Sequence, residues 1–378
     1  MTLFTTATAV NPGERLANVD TPALLLDISS FEHNLQAVAR AVRDSGLRLR
    51  AHAKAHKSVA IAKQQIAAGA VGICCQKIAE AQVFAAAGIA DILISNQVIG
   101  ASKMARVAQL ARHCTIGICV DHPLQVEQLG QAAQAQEVSV DIYIELDVGQ
   151  GRCGVTSSDD AVSLARAIGA YGSALRLRGL QAYHGKAQHL REPAQRRDAI
   201  AAATQRAAAC RDALIAAGFQ CDQITGGGTG SMVNELASKI YTEVQPGSYV
   251  LMDNDYAKNQ ADPRAPQLRQ ALYLWASVIS ARTGHAVLDA GLKATSAESG
   301  LPSYPHPGWR VTAISDEHIV LTGDGLAPPL QVGQKVCVVP SHCDPTMNLH
   351  ERIVVVDGLD SAATVVAVWP IDARGALF

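Results

Sequence analysis

The sequence has no paired cysteine motif, no concentration of charge and no long apolar run. Its nine cysteines are scattered and include no C-x-x-C pair, which argues against a zinc ribbon or a disulfide framework. The 32 basic and 34 acidic residues nearly cancel, which argues against nucleic acid or a membrane surface as the main partner. No apolar run is long enough to span a bilayer. We therefore expect a soluble, cytoplasmic protein.

The first two thirds of the chain alternate between apolar, strand-length runs and segments with helical periodicity. The 378 residues, 48% of them hydrophobic, suffice for one large domain or for one large and one small domain. Eight strands are predicted, at 21–27, 47–54, 71–75, 91–95, 115–120, 138–147, 176–183 and 222–225. Regular alternation is typical of a parallel sheet, and eight strand–helix units predict a (β/α)8 barrel over residues 22–259.

The pattern changes after about residue 260, where helical periodicity fades. Short runs rich in valine and isoleucine follow one another, separated by glycine, proline and aspartate. This pattern predicts a second, mostly antiparallel β domain, to which we assign residues 260–378 together with 1–21.

The stretch 48–58 carries alternating basic side chains. With a strand's period of two, one face carries Arg48, Arg50, His52, Lys54 and His56. The opposite face is apolar and would pack on helices, so the basic row would point into the barrel. A partly desolvated lysine flanked by cations has its charged form disfavoured, which activates the amine for Schiff-base chemistry. Lys54 is therefore the candidate nucleophile, and a solvated basic edge strand without chemistry is the alternative.

Three further clusters follow predicted strands. The glycine-rich loop 225–231 would let backbone amides approach a phosphate, although its spacing departs from a dinucleotide fingerprint; a flexible turn is the alternative. The segment 181–189 gathers imidazole, phenol and carboxamide groups at the catalytic end of a barrel, with packed or surface histidines without a catalytic role as the alternative. The loop 147–154 offers Arg152 as a fixed cation, with a tight turn carrying a solvated arginine as the alternative.

The last cluster is the segment 341–346, which contains an H-x-D pair. His342 and Asp344 would lie on one side of an extended segment. Imidazole with carboxylate suits a divalent cation of the manganese or zinc type, with positions left open for water or substrate. The H-x-D spacing alone is weak evidence for a metal site, so a pair that binds no metal is the alternative.

Together and in this order, these motifs resemble the D-threonine aldolase family, within the alanine-racemase-like (fold-type III) pyridoxal-phosphate enzymes. The resemblance extends from residues 20–22 to residues 369–375. Its motifs are the segments 50–57, 72–77, 151–155, 225–231, 245–249, 289–293 and 341–346.

The resemblance implies two cofactors and a role for each candidate residue. Pyridoxal 5'-phosphate would be bound covalently by Lys54, and His189 would be the general base. Cofactor contacts are implied for Arg152, Tyr183, Thr225, Gly228, Thr229, Ser248 and Tyr249. The metal, Mn²⁺ first with Mg²⁺, Co²⁺ or Zn²⁺ as alternatives, would be bound by His342 and Asp344. Because related D-serine dehydratases tend to carry H-x-C here, the aspartate favours an aldolase.

The implied activity is retro-aldol cleavage of a D-3-hydroxy amino acid to glycine and an aldehyde, by a homodimer. Four alternatives stay open at this point: an aldolase of D-3-hydroxyaspartate, a dehydratase of D-serine or 3-hydroxyaspartate on the same scaffold, a non-catalytic pyridoxal-phosphate carrier, and a metal-dependent aldolase without pyridoxal phosphate. The preferred substrate side chain is not fixed by the sequence, although a cation such as Lys186 would favour a second carboxylate.

Overall fold

The computed structural model describes residues 10–324, 327–360 and 362–378. It begins with strand β1 (Ala23–Asp27) and helix α1 (Ile28–Ser45). The strands that follow are β2 (Arg48–His52), β3 (Gly72–Cys75), β4 (Asp91–Ile94), β5 (Thr115–Val120), β6 (Val140–Glu145), β7 (Leu175–Gln181), β8 (Gln223–Gly226) and β9 (Glu243–Val244). These eight strands pair in parallel, in chain order, and close into a barrel. The predicted barrel is therefore confirmed.

Helices separate the barrel strands and cover the barrel. They are α2 (Val59–Ala67), α3 (Ile78–Ala86), α4 (Ala101–Leu110), α5 (Pro123–Ala135), α6 (Ser158–Gly169), α7 (Pro193–Ala216) and α8 (Met232–Ala237). A short helix, α9 (Asn254–Ala257), follows the last barrel strand. Alternate strand residues such as Ile73 and Ile92 pack against helix residues such as Phe84 in one large core. Their neighbours Cys74 and Leu93 form a small cluster with residues of β5 and β6 inside the barrel. The strand period of two thus separates the helix-facing side chains from the interior ones.

The second unit is a mostly antiparallel sheet, as predicted. Its later elements are β10 (Leu272–Arg282), β11 (His285–Leu288), β12 (Trp309–Ile314), β13 (Ile319–Gly323), β14 (Lys335–Val338), α10 (Cys343–Met347), β15 (Arg352–Val356) and β16 (Val365–Pro370). The strand order is β12–β13–β11–β10–β1–β15–β16, with β14 also on β10. Among the described residues, only β1 and β15 pair in parallel within this sheet.

The prediction that residues 21–27 form the first barrel strand was wrong. It forms β1, which lies in the second sheet between β10 and β15. Leu24 and Leu26 pack on α1 while Leu25 packs on the opposite face, so the strand is apolar on both faces. Such a run has the same composition as a barrel strand. The true eighth strand, β9, has two residues and leaves no periodic signal. The glycine-rich loop therefore follows the seventh barrel strand. The domain boundaries at 22 and 260 stay a prediction.

The basic row of β2 points inward, and its charge is neutralised there. Arg50 Nη1 lies 2.6 Å from Asp91 Oδ1, and Arg50 Nε lies 3.0 Å from Glu243 Oε1. Gly72 of the intervening strand makes this possible, because a β-carbon there would lie 2.7 Å from Arg50 Nη1. A buried cation is tolerated only with such partners.

Within the described residues, none of the helices has the length and hydropathy of a membrane span.

Candidate active site

Lys54 lies at the carboxyl end of β2, where barrel enzymes carry their catalytic groups. The strand ends at His52, and Lys54 occupies a 3-10 turn over Ala53–Ala55. Its ammonium group forms an ion pair with Asp344 of α10. Burial opposes the charge, but the carboxylate of Asp344 raises the pKa of Lys54 above its ordinary value. The predicted lowering by neighbouring cations was wrong, because the decisive partner comes from the other domain.

His56 does not share the inward face predicted for it. The 3-10 turn ends the strand's alternation, and the imidazole points toward the helices. Its Nε2 lies 3.2 Å from Gln65 Oε1, and its ring meets Phe84 edge to face. Burial lowers the pKa of His56 to about 4, so it is a neutral core residue near pH 7.

A cavity of about 230 Å³ opens beside Lys54. Six residues singled out from the sequence line it: Lys54, Arg152, Tyr183, Gly228, Thr229 and Ser248. The cavity is also lined by His52, which the alternation placed on the inward face, and by polar groups that the sequence did not single out, among them Gln76 and Ser95. His52 Nε2 lies 2.9 Å from Gln76 Nε2 and 3.1 Å from Ser95 Oγ. Burial and the charge of Lys54 hold the pKa of His52 well below its usual range, so a neutral polar wall faces the amine.

One end of the cavity has the character of a phosphate site. Thr229 Oγ1 is buried and has no hydrogen-bond partner among the described residues. The backbone is tight here, because a β-carbon at Gly228 would lie 2.6 Å from Gln188 Oε1. A buried hydroxyl without a partner is costly, and a bound phosphate would satisfy it. This end of the cavity therefore fits the phosphate of pyridoxal phosphate.

Two predicted cofactor contacts do not reach the cavity. The Thr225 hydroxyl donates to Glu243 Oε1 at 2.8 Å and accepts from Gln245 Nε2 at 2.7 Å. Tyr249 is fully buried in the apolar layer beside α1. Of the neighbouring pair, Ser248 is the residue that reaches the cavity, where its hydroxyl donates to Asp344 at 3.2 Å. Motif position alone could not show which side chains turn inward.

Arg152 and Tyr183 form one wall of the cavity. The guanidinium carbon lies 5.9 Å from the centre of the tyrosine ring, which is within cation–π range. Arg152 Nη2 also lies 3.7 Å from Glu145 Oε1, and this carboxylate is buried. Burial raises the pKa of Glu145. The arginine is thus held by an aromatic face and a carboxylate, with about half of its side chain exposed to the cavity and solvent.

His342 and Asp344 come together, but not through the extended segment that the spacing suggested. His342 precedes the first turn of α10, and Asp344 lies within that turn. His342 Nε2 lies 3.7 Å from Asp344 Oδ1, and its Nδ1 is hydrogen-bonded to the carboxylate of Glu298. Although burial opposes ionisation, Lys54 lowers the pKa of Asp344 below its usual range. The described residues hold no cluster of three or more such ligands.

The donor set nevertheless fits a divalent ion held by two protein ligands. Two atoms that bind one ion at about 2.1 Å can be at most about 4.2 Å apart. The observed separation of 3.7 Å between His342 Nε2 and Asp344 Oδ1 lies within that limit. Nitrogen and carboxylate oxygen are ligands that manganese, zinc and related ions accept, and water or substrate would complete the coordination.

His189 lies behind the cavity wall rather than on it. Its Nδ1 lies 2.6 Å from Asp255 Oδ2, and its ring centre lies 5.5 Å from that of Tyr256, which lines the cavity. Arg191 shares the same carboxylate, and although burial opposes ionisation, Arg191 lowers the pKa of Asp255. Asp255 and Tyr256 were not singled out from the sequence, since the short helix α9 shows no periodic pattern.

Two family models match this chain in succession. The model described as "Alanine racemase, N-terminal domain" matches residues 26–255. The model described as "Putative serine dehydratase domain" matches residues 271–356. The first covers the barrel with Lys54, and the second covers strands β10 to β15 with His342 and Asp344.

Relatives of known function match over nearly the whole chain. A D-threonine aldolase of Arthrobacter sp. is 47% identical over 369 residues, which cover 96% of this chain and 95% of the relative. A 3-hydroxy-D-aspartate aldolase of Paracoccus denitrificans (strain Pd 1222) is 40% identical over 374 residues, with 96% and 94% covered.

Solved structures agree with these matches. The crystal structure of D-threonine aldolase from Filomicrobium marinum superposes with a TM-score of 0.94 at 44% identity, covering 98% of this chain and 100% of that one. The D-threo-3-hydroxyaspartate dehydratase of Delftia sp. HT23 superposes with a TM-score of 0.80 at 27% identity, covering 94% and 98%. The resemblance drawn from the motifs is thereby confirmed, and this chain belongs to the D-threonine aldolase family, on the alanine-racemase-like fold.

Proposed function

We propose that this protein is a pyridoxal-phosphate- and divalent-metal-dependent lyase that cleaves D-3-hydroxy amino acids to glycine and an aldehyde. One observation carries the proposal: the amine of Lys54 and the carboxylate of Asp344 are in direct contact. The residue that would anchor the cofactor and the residue that would hold the metal therefore serve one cavity, although they are 290 positions apart in the sequence.

The cofactor would be held at both ends of the cavity. Lys54 supplies the covalent anchor, and Thr229 with the backbone at Gly228 would hold the phosphate. Arg152 and Tyr183 would contact the ring between them. When bound, pyridoxal phosphate supplies an electron sink for the carbanion that forms at Cα.

The metal would be held by His342 and Asp344. A divalent ion at this pair would lower the pKa of the substrate's 3-hydroxyl group, as metals do for bound water. Such help is needed because an alcohol is a very weak acid near pH 7 and imidazole alone faces a large pKa mismatch. We propose Mn²⁺ as the ion, in keeping with the nitrogen and oxygen ligands.

His189 would accept the hydroxyl proton. The contact between Nδ1 and the carboxylate of Asp255 would orient the imidazole and stabilise the imidazolium form that follows proton uptake. Tyr256 stands between the imidazole and the cavity, so the side chains must adjust when substrate binds. A catalytic hydrogen bond often forms only in the substrate complex.

Threonine-like and 3-hydroxyaspartate-like side chains are both candidates for the substrate, because a D-threonine aldolase and a 3-hydroxy-D-aspartate aldolase both match this chain. Lys186, suggested as a partner for a second carboxylate, is exposed beside Gly151 and does not line the cavity.

We further propose a homodimer, by analogy with the fold, and a cytoplasmic location. The location is supported by the nine cysteines, which are all free thiols.

Two variants test the assignment of the cofactor and metal residues. Lys54→Ala should lose the visible absorbance of the bound cofactor together with turnover. Asp344→Ala should keep that absorbance but lose turnover. Lys63→Ala, a change at an exposed lysine of α2, is the matched control and should behave as wild type. If Asp344→Ala stays fully active, the metal assignment is wrong.

A further inference from the structure

Glu298 contacts the candidate metal pair although it belongs to neither the H-x-D motif nor a regular element. Its Oε1 accepts a hydrogen bond from His342 Nδ1 and another from Ser299 Oγ at 2.8 Å. The residue lies in the loop between β11 and β12, a segment without helical or strand periodicity. Nothing in the spacing of the motifs points to it.

The contact fixes which nitrogen of His342 is free. A carboxylate can only accept, so the proton of this bond resides on Nδ1. The nitrogen left to bind a metal is then Nε2, which faces Asp344 Oδ1 at 3.7 Å. A metal-binding histidine typically donates its second ring N–H to a carboxylate, which fixes both the tautomer and the ring orientation.

The loop that carries Glu298 is itself tied to the metal-pair turn. Ser341 Oγ donates to the Ser296 carbonyl at 2.6 Å. The Ser296 amide donates to Thr346 Oγ1 at 3.1 Å, and that hydroxyl donates to the His342 carbonyl at 2.7 Å. Two of these bonds join the loop at Ser296 to residues on either side of His342, and the third lies within the turn. The contact is therefore part of a braced arrangement rather than a chance meeting of two exposed side chains.

We propose that Glu298 is a positioning residue for the metal: it holds His342 in the tautomer and orientation that present Nε2 to an ion shared with Asp344. The inference rests on the proposed function, since it needs a metal at this pair. It adds a residue that touches neither metal nor substrate and acts through His342.

Loss of such a partner typically weakens metal binding by about 10- to 100-fold. Glu298 is 56% exposed, so water screens its charge and can partly replace it. We therefore expect about a tenfold rise in the Mn²⁺ dissociation constant for Glu298→Ala, the low end of that range. Glu298→Gln keeps an oxygen that accepts the Nδ1 proton and should stay within about threefold of wild type.

The test is a Mn²⁺ titration of the pyridoxal-phosphate-loaded protein after removal of bound metal with EDTA. Free Mn²⁺ is measured by its electron paramagnetic resonance signal, so the result does not depend on turnover. Glu317→Ala is the matched control, because Glu317 is an equally exposed carboxylate of the same domain that pairs with Lys293. Melting temperature and cofactor absorbance are recorded for every variant.

The expected result is weaker Mn²⁺ binding for Glu298→Ala alone, with lost activity restored by excess Mn²⁺ and with unchanged melting. A wild-type dissociation constant for Glu298→Ala overturns the inference. So does an equal loss in both Glu298 variants accompanied by a lower melting temperature, which would assign the effect to folding of the loop. If wild-type protein binds no Mn²⁺, the metal site of the proposed function fails first, and the role of Glu298 fails with it.

Discussion

Replacing Glu235 with glutamine should stabilise the protein at pH 8 and change little at pH 5. Glu235 lies in α8, is 1% exposed, and its Oε1 accepts a hydrogen bond from Ser231 Oγ at 2.7 Å. Its Oε2 is buried without a partner among the described residues. Gly227 of the phosphate loop lies against it, since a β-carbon there would be 3.1 Å from the carboxyl carbon. The carboxyl group thus lies buried beneath the predicted phosphate site.

Burial raises the pKa of Glu235 from 4.5 to about 7. Between these values the native state keeps a proton that the unfolded chain has released, so the free energy of unfolding falls as pH rises. The interval of roughly 2.5 pH units corresponds to about 3 kcal/mol of stability, which is lost progressively as the pH rises from about 4.5 to about 7. Glutamine is neutral at every pH and avoids this loss. The gain is an upper limit, because its amide nitrogen would replace an oxygen that has no partner.

The assay is thermal melting of the cofactor-free protein at pH 5 and at pH 8. Glu235→Gln should melt above wild type at pH 8, and the difference should nearly vanish at pH 5. Glu127→Gln, a change at an exposed carboxylate of α5, is the control and should show no pH-dependent difference. If Glu235→Gln melts below wild type by the same amount at both pH values, ionisation of the buried Glu235 does not destabilise the protein.

Three further changes have definite expected outcomes. Thr229→Val should weaken pyridoxal-phosphate binding about tenfold to a hundredfold without lowering the melting temperature of the cofactor-free protein, because the Thr229 hydroxyl would serve only the phosphate. Thr225→Val removes a hydroxyl that is already hydrogen-bonded within the protein, so it should lower that melting temperature. The reverse pattern would contradict the assignment of the phosphate site. Arg50→Met should lower the free energy of unfolding in urea by about 3–5 kcal/mol, because it removes the cation that Asp91 and the buried Glu243 share and leaves Glu243 with Arg48 as its ionic partner; a neutral effect would show that Arg48 suffices. His189→Asn should reduce turnover by about a hundredfold or more while Mn²⁺ and cofactor binding persist, and unchanged turnover would remove it as the base.

The sequence predicts the barrel well because its evidence is local and repeated. Seven of the eight predicted barrel strands lie where alternation placed them. β1 was misassigned because a strand that is apolar on both faces has the same composition whether it belongs to a barrel or to a two-layer sheet. β9 was missed because two residues carry no period. Pairing partners, which decide both cases, are distant in the sequence.

The candidate site was predicted as a set of residues but not as a geometry. Lys54 was identified from alternation, yet its contact with Asp344 joins two domains and cannot be read from either motif. The same limit applies to Thr225, whose hydroxyl turns toward Glu243 instead of the cavity. Glu298 was missed altogether, since its role depends on one contact across the fold. Side-chain direction and long-range partners are what the structure adds.

The proposed cleavage of the Cα–Cβ bond is tested by identifying the products. The purified protein would be incubated with pyridoxal phosphate, Mn²⁺ and D-threonine, with D-serine and D-3-hydroxyaspartate in parallel. We expect glycine and acetaldehyde from D-threonine, with product formation dependent on both cofactors. A 2-oxo acid with ammonia would show elimination instead of carbon–carbon cleavage and would contradict the claim, as would the absence of product from every substrate.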